Sequence, residues 1–315
     1  MTKKLITILG ITGMQLTRNP GSAKAEGWAS RGVEIVRRDH DDLEAFKAAF
    51  QGTHAIFAVT DWATCYYGVV ENKALQEKAK STGMSMEEYA GDLEKMQSIN
   101  IATAATDRKV LETLEIFVFS MLAAVQRISG GKYKHAYEFD SKASAEHYMR
   151  EQLPELRTRL STVTMGIFQE TWKDIPAFRP HKQPDGTFEY VRLKTSGLHQ
   201  ENPEVVVTRD TCAFVEALIL HQPAGTDVLG ASEIITKPDY AALWGRTLGV
   251  EATVRDVKEE GYKATIVDDV RFFAEYGYAG GNPRVKTPTE LGIKTTSLEE
   301  FFRGEDYSAV LEGEI

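Results

Sequence analysis

The feature that most constrains the fold is an alternation of short apolar runs with segments of helical spacing. The first run, Leu5 to Leu9, is rich in β-branched residues and is closed by Gly10, as is typical of a buried parallel strand. Further candidate strands are 33–36, 55–59, 114–119 and 161–165, and the candidate helices are 43–50, 96–106 and 141–153. This alternation predicts an α/β fold with a doubly wound parallel sheet.

The alternation of strand and helix patterns is interrupted at about Trp172. Pro176, Pro180, Pro184 and Gly186 mark an irregular stretch. Beyond it the pattern predicts strands at 188–193 and 205–207, a helix at 211–220 and a loop at 277–288. We therefore expect a nucleotide-binding domain over 1–172 and a smaller C-terminal α+β region, for substrate or interaction, over 173–315.

Composition excludes several classes of protein. The 315 residues are 42% hydrophobic and 26% charged, which is ordinary for a globular chain, and the formal net charge is -9. There is no basic run, so we expect no direct contact with nucleic acid. Two cysteines and seven histidines without metal-ligand spacing predict neither a disulfide framework nor a metal site. No apolar run is long enough for a membrane helix or a signal peptide, so the expectation is a cytoplasmic protein.

A glycine turn directly follows the first strand. It spans 10–15 and reads Gly-Ile-Thr-Gly-Met-Gln. Glycines at such a turn let the backbone approach a pyrophosphate, whose charge the next helix N-terminus stabilises. The alternative, a tight turn without a ligand, stays open on the glycines alone. Their position after the first strand favours a Rossmann-like cofactor domain.

An ordered set of segments resembles the NmrA-like family, an atypical branch of the short-chain dehydrogenase superfamily. The matching segments are the turn at 10–15, Leu-Thr-Arg-Asn-Pro at 16–20, Gly-Val-Glu-Ile-Val at 32–36, the acidic residues at 39–42, Val-Thr-Asp-Trp at 59–62, Ser-Gly-Gly-Lys-Tyr at 129–133, Phe-Asp-Ser-Lys at 139–142, and Gly-Ile-Phe-Gln-Glu-Thr-Trp at 166–172. The resemblance covers most of the chain in the right order and is clearest over 5–175.

The resemblance implies an NADP site. The residues it implies are Gly10, Thr12, Gly13 and Gln15 at the diphosphate, Arg18 at the ribose 2′-phosphate, Asp39 and His40 near the adenine, Thr60, Asp61 and Trp62 at the nicotinamide half, Lys142 as the active-site lysine, and Phe168, Gln169, Glu170 and Thr171 in a loop closing over the nicotinamide. Met14 and Asn19 are also expected to bind the cofactor. A guanidinium binds phosphate bidentately, so an arginine after the turn favours NADP over NAD.

One departure from the family concerns the segment after the glycine turn. In the family a helix and most of a second strand separate the turn from the Thr-Arg-Asn-Pro run, whereas here Leu16 follows Gln15 directly. The first helix is therefore absent or replaced by residues 22–29. Either cofactor binding has degenerated, or the sequence comes from a gene model that lacks an exon segment.

A second departure from the family pattern concerns the general acid. In the superfamily a tyrosine four residues before the lysine is the general acid, and here Glu138 holds that position. Lys142 is the candidate catalytic residue, the alternative being an ordinary surface lysine. Nearby Tyr133, His135 and His147 are interpreted as structural, as is Cys65.

Two functions follow from the resemblance. The first is an NADP-dependent oxidoreductase that acts on a small hydrophobic carbonyl or enone, in the setting of secondary-metabolite biosynthesis. The second is a non-catalytic NADP-binding redox sensor that contacts another protein. The expected partner is a small-molecule substrate, while a protein partner or a homodimer stays an open alternative.

Overall fold

The structure, a computed structural model, describes residues 4–9, 15–17, 21, 23–37, 42–197 and 199–314. Its strands are β1 (Ile6–Leu9), β2 (Gln15–Thr17), β3 (Val36–Arg37), β4 (Ala55–Ala58), β5 (Ile116–Met121), β6 (Leu160–Met165), β7 (Ile167–Phe168), β8 (His181–Lys182), β9 (Phe188–Leu193), β10 (Glu201–Val205), β11 (Asp227–Gly230), β12 (Glu233–Thr236), β13 (Ala252–Val257) and β14 (Val285–Lys286).

The α-helices are α1 (Ala23–Ala29), α2 (Leu43–Phe50), α3 (Trp62–Glu71), α4 (Lys73–Ser81), α5 (Met86–Ala105), α6 (Arg108–Leu111), α7 (Val125–Ile128), α8 (Tyr137–Gln152), α9 (Pro154–Arg157), α10 (Val207–Glu216), α11 (Lys237–Leu248), α12 (Ala264–Tyr276), α13 (Leu298–Gly304) and α14 (Ser308–Glu312). Short 3-10 turns lie at Gln169–Lys173, Pro176–Phe178 and Lys194–Ser196, and a π-turn at Ala217–His221 follows α10.

The described residues form two compact units. The first unit comprises those within 1–124, 137–163 and 215–227, and the second comprises those within 125–136, 164–214 and 228–315. The division at 172/173 expected from the sequence stays a prediction.

A parallel sheet organises the first unit. Six strands lie in the order β6-β5-β4-β1-β2-β3, and the register places Ile6 opposite Ala55 and Ala55 opposite Ile116. Strands buried on both faces are nearly continuous apolar runs, and every residue of β4 and β6 is buried. Helices flank the sheet, and the predicted Rossmann-like α/β fold is confirmed.

The core of the first unit packs helices onto this sheet. Phe46 and Phe50 of α2, Phe117 and Phe119 of β5, and Met149 of α8 are fully buried in one cluster. Such a cluster keeps the strands from shifting, so the side chains that follow the carboxyl ends of the strands have fixed positions.

The second unit holds two three-stranded sheets, in the orders β12-β10-β7 and β13-β9-β8. Its core is aromatic: Trp244 packs edge-on against Phe188 and Tyr190, with ring centroids 5.4 and 5.8 Å apart. Trp172 stacks on Tyr307 at 4.4 Å, so this tryptophan is part of the core.

The connection between β1 and β2 is the most unusual part of the fold. The two strands pair in parallel, Ile8 opposite Gln15 and Leu9 opposite Leu16, yet only residues 10–14 separate them. A parallel crossover ordinarily needs about a dozen residues or more, usually with a helix. The loss of a crossover helix before Leu16 stays a prediction, since residues 10–14 lie outside the described residues; α1 follows β2 along the chain.

Several predicted boundaries need correction. The strand predicted at 205–207 is wrong, since β10 ends at Val205 and Val207 begins α10. The helix predicted at 96–106 begins ten residues earlier, where the Ser85 hydroxyl accepts the Glu88 amide and caps α5. The loop predicted at 277–288 contains the short strand β14. The expected strand at 33–36 reduces to Val36–Arg37.

Candidate functional site

Thr60, Asp61 and Trp62 follow the carboxyl end of β4, as expected for nicotinamide-side residues. Asp61 caps α3 by accepting from the Ala63 amide at 3.1 Å and the Thr64 hydroxyl at 2.5 Å. Trp62 donates its indole N–H to the carbonyl of Glu87 at 3.2 Å. Asp61 and Trp62 thus fix the start of α3, while Thr60 is buried and directed toward α5.

A buried carboxylate on α5 joins this strand end to α8. Glu94 has no exposed surface. Its Oε1 accepts from the Thr60 hydroxyl at 3.0 Å and lies 2.6 Å from the Lys142 Nζ. Its Oε2 accepts from the Ser141 hydroxyl. Ser98, one turn further along α5, lies 3.0 Å from the same Thr60 hydroxyl.

Lys142 occupies the second turn of α8, and only 7% of its side chain is exposed. The alternative of an ordinary surface lysine is therefore wrong. An ammonium carries three N–H donors, and the bond to Glu94 uses one of them. Lys142 thus remains a candidate to donate to a ligand as well as to Glu94.

Glu138, one turn before Lys142, is an exposed carboxyl whose Oε1 lies 4.0 Å from the Lys142 Nζ. Reduced hydration by the surrounding protein raises the pKa of Glu138; Lys142 opposes this, and the charges of Glu94 and Asp61 reinforce it. Because 54% of this side chain is still exposed, water screens part of the effect. The direction favours a carboxyl that holds its proton at a higher pH than an isolated glutamate.

In the second unit, the Phe168–Thr171 segment runs from β7 into a 3-10 turn. Phe168 is 46% exposed. Gln169 is buried, and its amide donates to Glu204 at 2.6 Å and accepts from the Tyr240 hydroxyl at 2.8 Å. Gln169 is therefore held inside this unit, and its contact with a cofactor stays a prediction.

Glu170 caps α10. It accepts from the Thr208 amide at 2.9 Å, from the Thr208 hydroxyl at 2.7 Å and from the Val207 amide at 3.2 Å. A carboxylate at a helix N-terminus also interacts favourably with the helix dipole. Glu170 therefore has a structural role. Thr171 is partly buried in the same turn and Phe168 is exposed, so these two side chains retain surface that a ligand can contact.

Glu204, which accepts a hydrogen bond from Gln169, belongs to a charge cluster that includes Lys237. The Lys237 ammonium lies 4.8 and 4.4 Å from the ring centroids of Tyr190 and Tyr240, within cation–π range. Burial raises the pKa of Glu204 to about 7, with Lys237 and Gln169 acting in the opposite direction. Burial also lowers the pKa of Lys237.

The residues interpreted as structural have structural partners. The Tyr133 hydroxyl donates to Glu275 at 2.7 Å, and His135 Nδ1 lies 2.8 Å from Asp268 Oδ2. Cys65 is buried and donates to Gln97 at 3.5 Å. Within the described part of the chain, no three His, Cys, Asp or Glu side chains are grouped to hold a metal ion, and no helix has the length and hydropathy to cross a membrane.

Eight of the seventeen expected cofactor residues lie outside the described residues. They are Gly10, Thr12, Gly13, Met14, Arg18, Asn19, Asp39 and His40. Gln15 is described as part of β2 by its backbone alone. The assignments at the diphosphate, the 2′-phosphate and the adenine stay predictions.

Sequence reasoning missed Glu94 and Glu204. Both were unremarkable in the sequence, because a glutamate in a polar helical stretch or near a short strand usually faces solvent. The sequence offered no signal for Glu94 either, because the helix predicted at 96–106 begins after it.

The polar groups at the strand end fit the nicotinamide half of a dinucleotide. Lys142 offers an ammonium with donors to spare, and Thr60 a hydroxyl, both fixed by one carboxylate. Sugar hydroxyls and a carboxamide can meet both groups: the ammonium is a donor, and the Thr60 hydroxyl, whose proton goes to Glu94, is an acceptor. The fit therefore holds for this half of the ligand.

The comparisons with solved structures agree with this fold. The structure is similar to NmrA, described as a negative transcriptional regulator, in complex with NAD: TM-score 0.69, 18% identity, covering 100% of this chain and 98% of that chain. The same regulator in complex with NADP gives TM-score 0.69 and 17% identity over the same shares. An NADPH-dependent quinone oxidoreductase from Escherichia coli, complexed with NADPH, gives TM-score 0.58 and 16% identity, covering 94% and 88%.

These likenesses show the fold, and dinucleotide-binding regulators and reductases share it. The sequence profile of the NmrA-like family matches residues 9–302, nearly the whole chain. The chain therefore belongs to the NmrA-like family.

Proposed function

We propose that this protein is an NADP(H)-dependent oxidoreductase that reduces a small hydrophobic carbonyl or enone. The observation that carries the proposal is the pair formed by Glu138 and Lys142 on adjacent turns of α8, beside the end of β4. An exposed carboxyl whose pKa is raised, next to a buried ammonium, is suited to proton donation.

When bound, the dinucleotide supplies the hydride for the carbonyl carbon. The Glu138 carboxyl would give its proton to the carbonyl oxygen, and the resulting carboxylate would be stabilised by Lys142 at 4.0 Å. Because Glu138 is exposed, it can take a proton back from solvent. Thr60 and Lys142 would bind and orient the nicotinamide half through their hydroxyl and ammonium groups.

The choice of an apolar substrate rests on the family resemblance, which implies a small hydrophobic carbonyl or enone. In the second unit, Phe168, Ile175 and Phe178 are 46, 45 and 37% exposed, so this unit has apolar surface of its own.

The redox sensor is the second candidate. It is favoured by Glu138 in place of a tyrosine and by a Lys142 charge that Glu94 already neutralises. A protein that binds NADPH without consuming it, and whose contact with another protein depends on the nicotinamide redox state, would have this function. NmrA, with a similar fold, is described as a regulator.

The experiment follows NADPH oxidation by its absorbance with a panel of quinones, enones and aldehydes. We expect turnover by the parent, and at least about tenfold less turnover for Glu138→Gln, equivalent to about 1.4 kcal/mol of transition-state stabilisation. NADPH affinity should stay within about threefold, since the amide keeps the shape of the side chain. Glu151→Gln, the same change at an exposed position of α8, is the matched control.

Full turnover by Glu138→Gln would refute Glu138 as the proton donor. NADPH binding without turnover on any substrate of the panel would refute the oxidoreductase and place the sensor first.

A further inference from the structure

The Glu94 carboxylate connects three elements that are distant in sequence. It lies on α5, and it holds Thr60 after β4 and both Ser141 and Lys142 on α8. The Thr60 hydroxyl and the Lys142 ammonium meet on the same oxygen, Oε1, at 3.0 and 2.6 Å. The position of each donor is thus tied to the position of the other.

A fully buried carboxylate is a costly way to join helices. Removing a carboxylate and an ammonium from water carries a penalty that mutual attraction offsets only with good geometry and further hydrogen bonds. Glu94 has both, because its two oxygens accept from three side chains. An apolar pair of similar volume would stabilise these helices equally well, so stability alone does not explain the pair.

We propose that Glu94 is a positioning residue: its buried carboxylate holds the Thr60 hydroxyl and the Lys142 ammonium together, as one preorganised pair for the nicotinamide half of NADP(H), with Lys142 as the donor to the ligand and the Thr60 oxygen as an acceptor. This proposal rests on the proposed function for its ligand. Glu94 is fully buried, so it acts on the ligand through Thr60 and Lys142. Groups held in place before binding lose little conformational entropy when the ligand arrives.

The test is a double-mutant cycle read by NADPH affinity in the full chain. Lys142→Met should weaken NADPH binding at least about tenfold, because one donor is removed. Glu94→Gln should weaken it to a similar extent although Lys142 is still present. The double variant should lose no more than either single variant, since both changes disable the same pair. Glu88→Gln, an exposed glutamate on the same helix, is the matched control and should bind as the parent does.

A second measurement needs no cofactor. An amine-acylating reagent followed by peptide mass spectrometry reports how accessible Lys142 is, with exposed Lys80 as the internal reference. In the parent Lys142 should react slowly, because it is buried and ion-paired. In Glu94→Gln its acylation should rise several-fold as the ammonium leaves its place. If Glu94→Gln does not fold, Glu94→Asp, which keeps the charge and shortens the side chain by one methylene, is measured instead, with smaller changes in the same directions.

The outcomes separate this proposal from the proposed function. If Glu94→Gln melts at a lower temperature but binds NADPH as the parent does, Glu94 is only a structural counter-ion and the proposal is overturned. If the parent binds no dinucleotide, the proposed function fails on its own. The acylation rate of Lys142 then tests whether Glu94 holds the Lys142 ammonium in place. An unchanged rate in Glu94→Gln overturns this positioning, and an increased rate supports it.

Discussion

At the scale of single residues, the two buried glutamates differ in how their charge is satisfied. Glu94 has an ammonium at 2.6 Å, whereas Glu204 has an amide at 2.6 Å and a lysine whose ammonium lies over two tyrosine rings. Burial therefore dominates at Glu204 and raises its pKa to about 7. Glu204 is therefore a group of the second unit whose charge changes near neutral pH.

The raised pKa of Glu204 predicts a pH-dependent stability. The folded state holds the Glu204 proton more tightly than the unfolded state, whose ordinary value is 4.5. The contribution of the Glu204 proton to the free energy of unfolding is therefore fully present below about pH 4.5 and is lost as the pH rises through about 7. The groups facing Glu204 are Lys237 and Tyr240 of α11, Tyr190 of β9 and Gln169, and Glu233 lies opposite it in the β10–β12 register.

Urea unfolding at several pH values measures this contribution. Between about pH 4.5 and 7, Glu204→Gln should reduce the fall in the free energy of unfolding, because its amide does not titrate. Glu201→Gln, an exposed position on the same strand, should keep the slope of the parent. An identical slope in Glu204→Gln and the parent would mean that Glu204 does not titrate in this range.

At the scale of elements, the predicted strands agree best with the structure where burial decides the residue types. The run at 188–193 coincides with β9, and 55–59 and 161–165 differ from β4 and β6 by one residue. Helices α3 and α4 were missed because their starts depend on capping by Asp61 and Asn72, which is a contact of one side chain with the backbone. Such local bonds leave a weaker pattern than a buried strand does.

The passage from β6 to β7 depends on a glycine. A Cβ at Gly166 would lie 2.3 Å from the carbonyl oxygen of Pro203, which belongs to β10 in the same unit. Two backbones approach closely here, and any side chain would push β7 away from β10. Because Phe168 and Gln169 follow immediately, this glycine also determines where their segment begins.

Gly166→Ala should therefore destabilise the protein by about 1–3 kcal/mol, because backbone must move to admit the methyl group. Gly68→Ala is the control: this glycine lies in α3 with nothing within 4 Å of the added Cβ, and alanine should gain up to about 1 kcal/mol from helix propensity. Thermal melts of both variants measure the difference. A Gly166→Ala variant as stable as the parent would contradict the close approach of the two strands.

At the scale of the whole molecule, the alternation of apolar runs and helical segments was sufficient to predict the Rossmann-like sheet, because strands that alternate with helices are typical of a parallel α/β sheet. The site was predicted in part. Thr60 and Lys142 do lie near each other, since both are held by Glu94. Glu94, which holds them, lies on a helix that is distant in the sequence. It is 34 residues from Thr60 and 48 residues from Lys142, and a single sequence carries no direct signal for contacts over such separations.

The short connection before β2 is where the family resemblance and this chain differ most. The parallel pairing of β1 with β2 persists across a five-residue connection, residues 10–14. All of the predicted diphosphate residues except Gln15 lie in this connection, so we expect the shortening to affect cofactor binding most directly.

The most direct test of the account is therefore a calorimetric titration of the full chain with NADPH and, separately, with NADH. We predict one NADPH per chain and at least about tenfold weaker binding of NADH, about 1.4 kcal/mol, because Arg18 follows the glycine turn and can pair with the 2′-phosphate. Equal affinities or a preference for NADH would contradict the assignment of Arg18. Binding of neither dinucleotide would contradict the central claim that this chain is an NADP(H)-dependent protein.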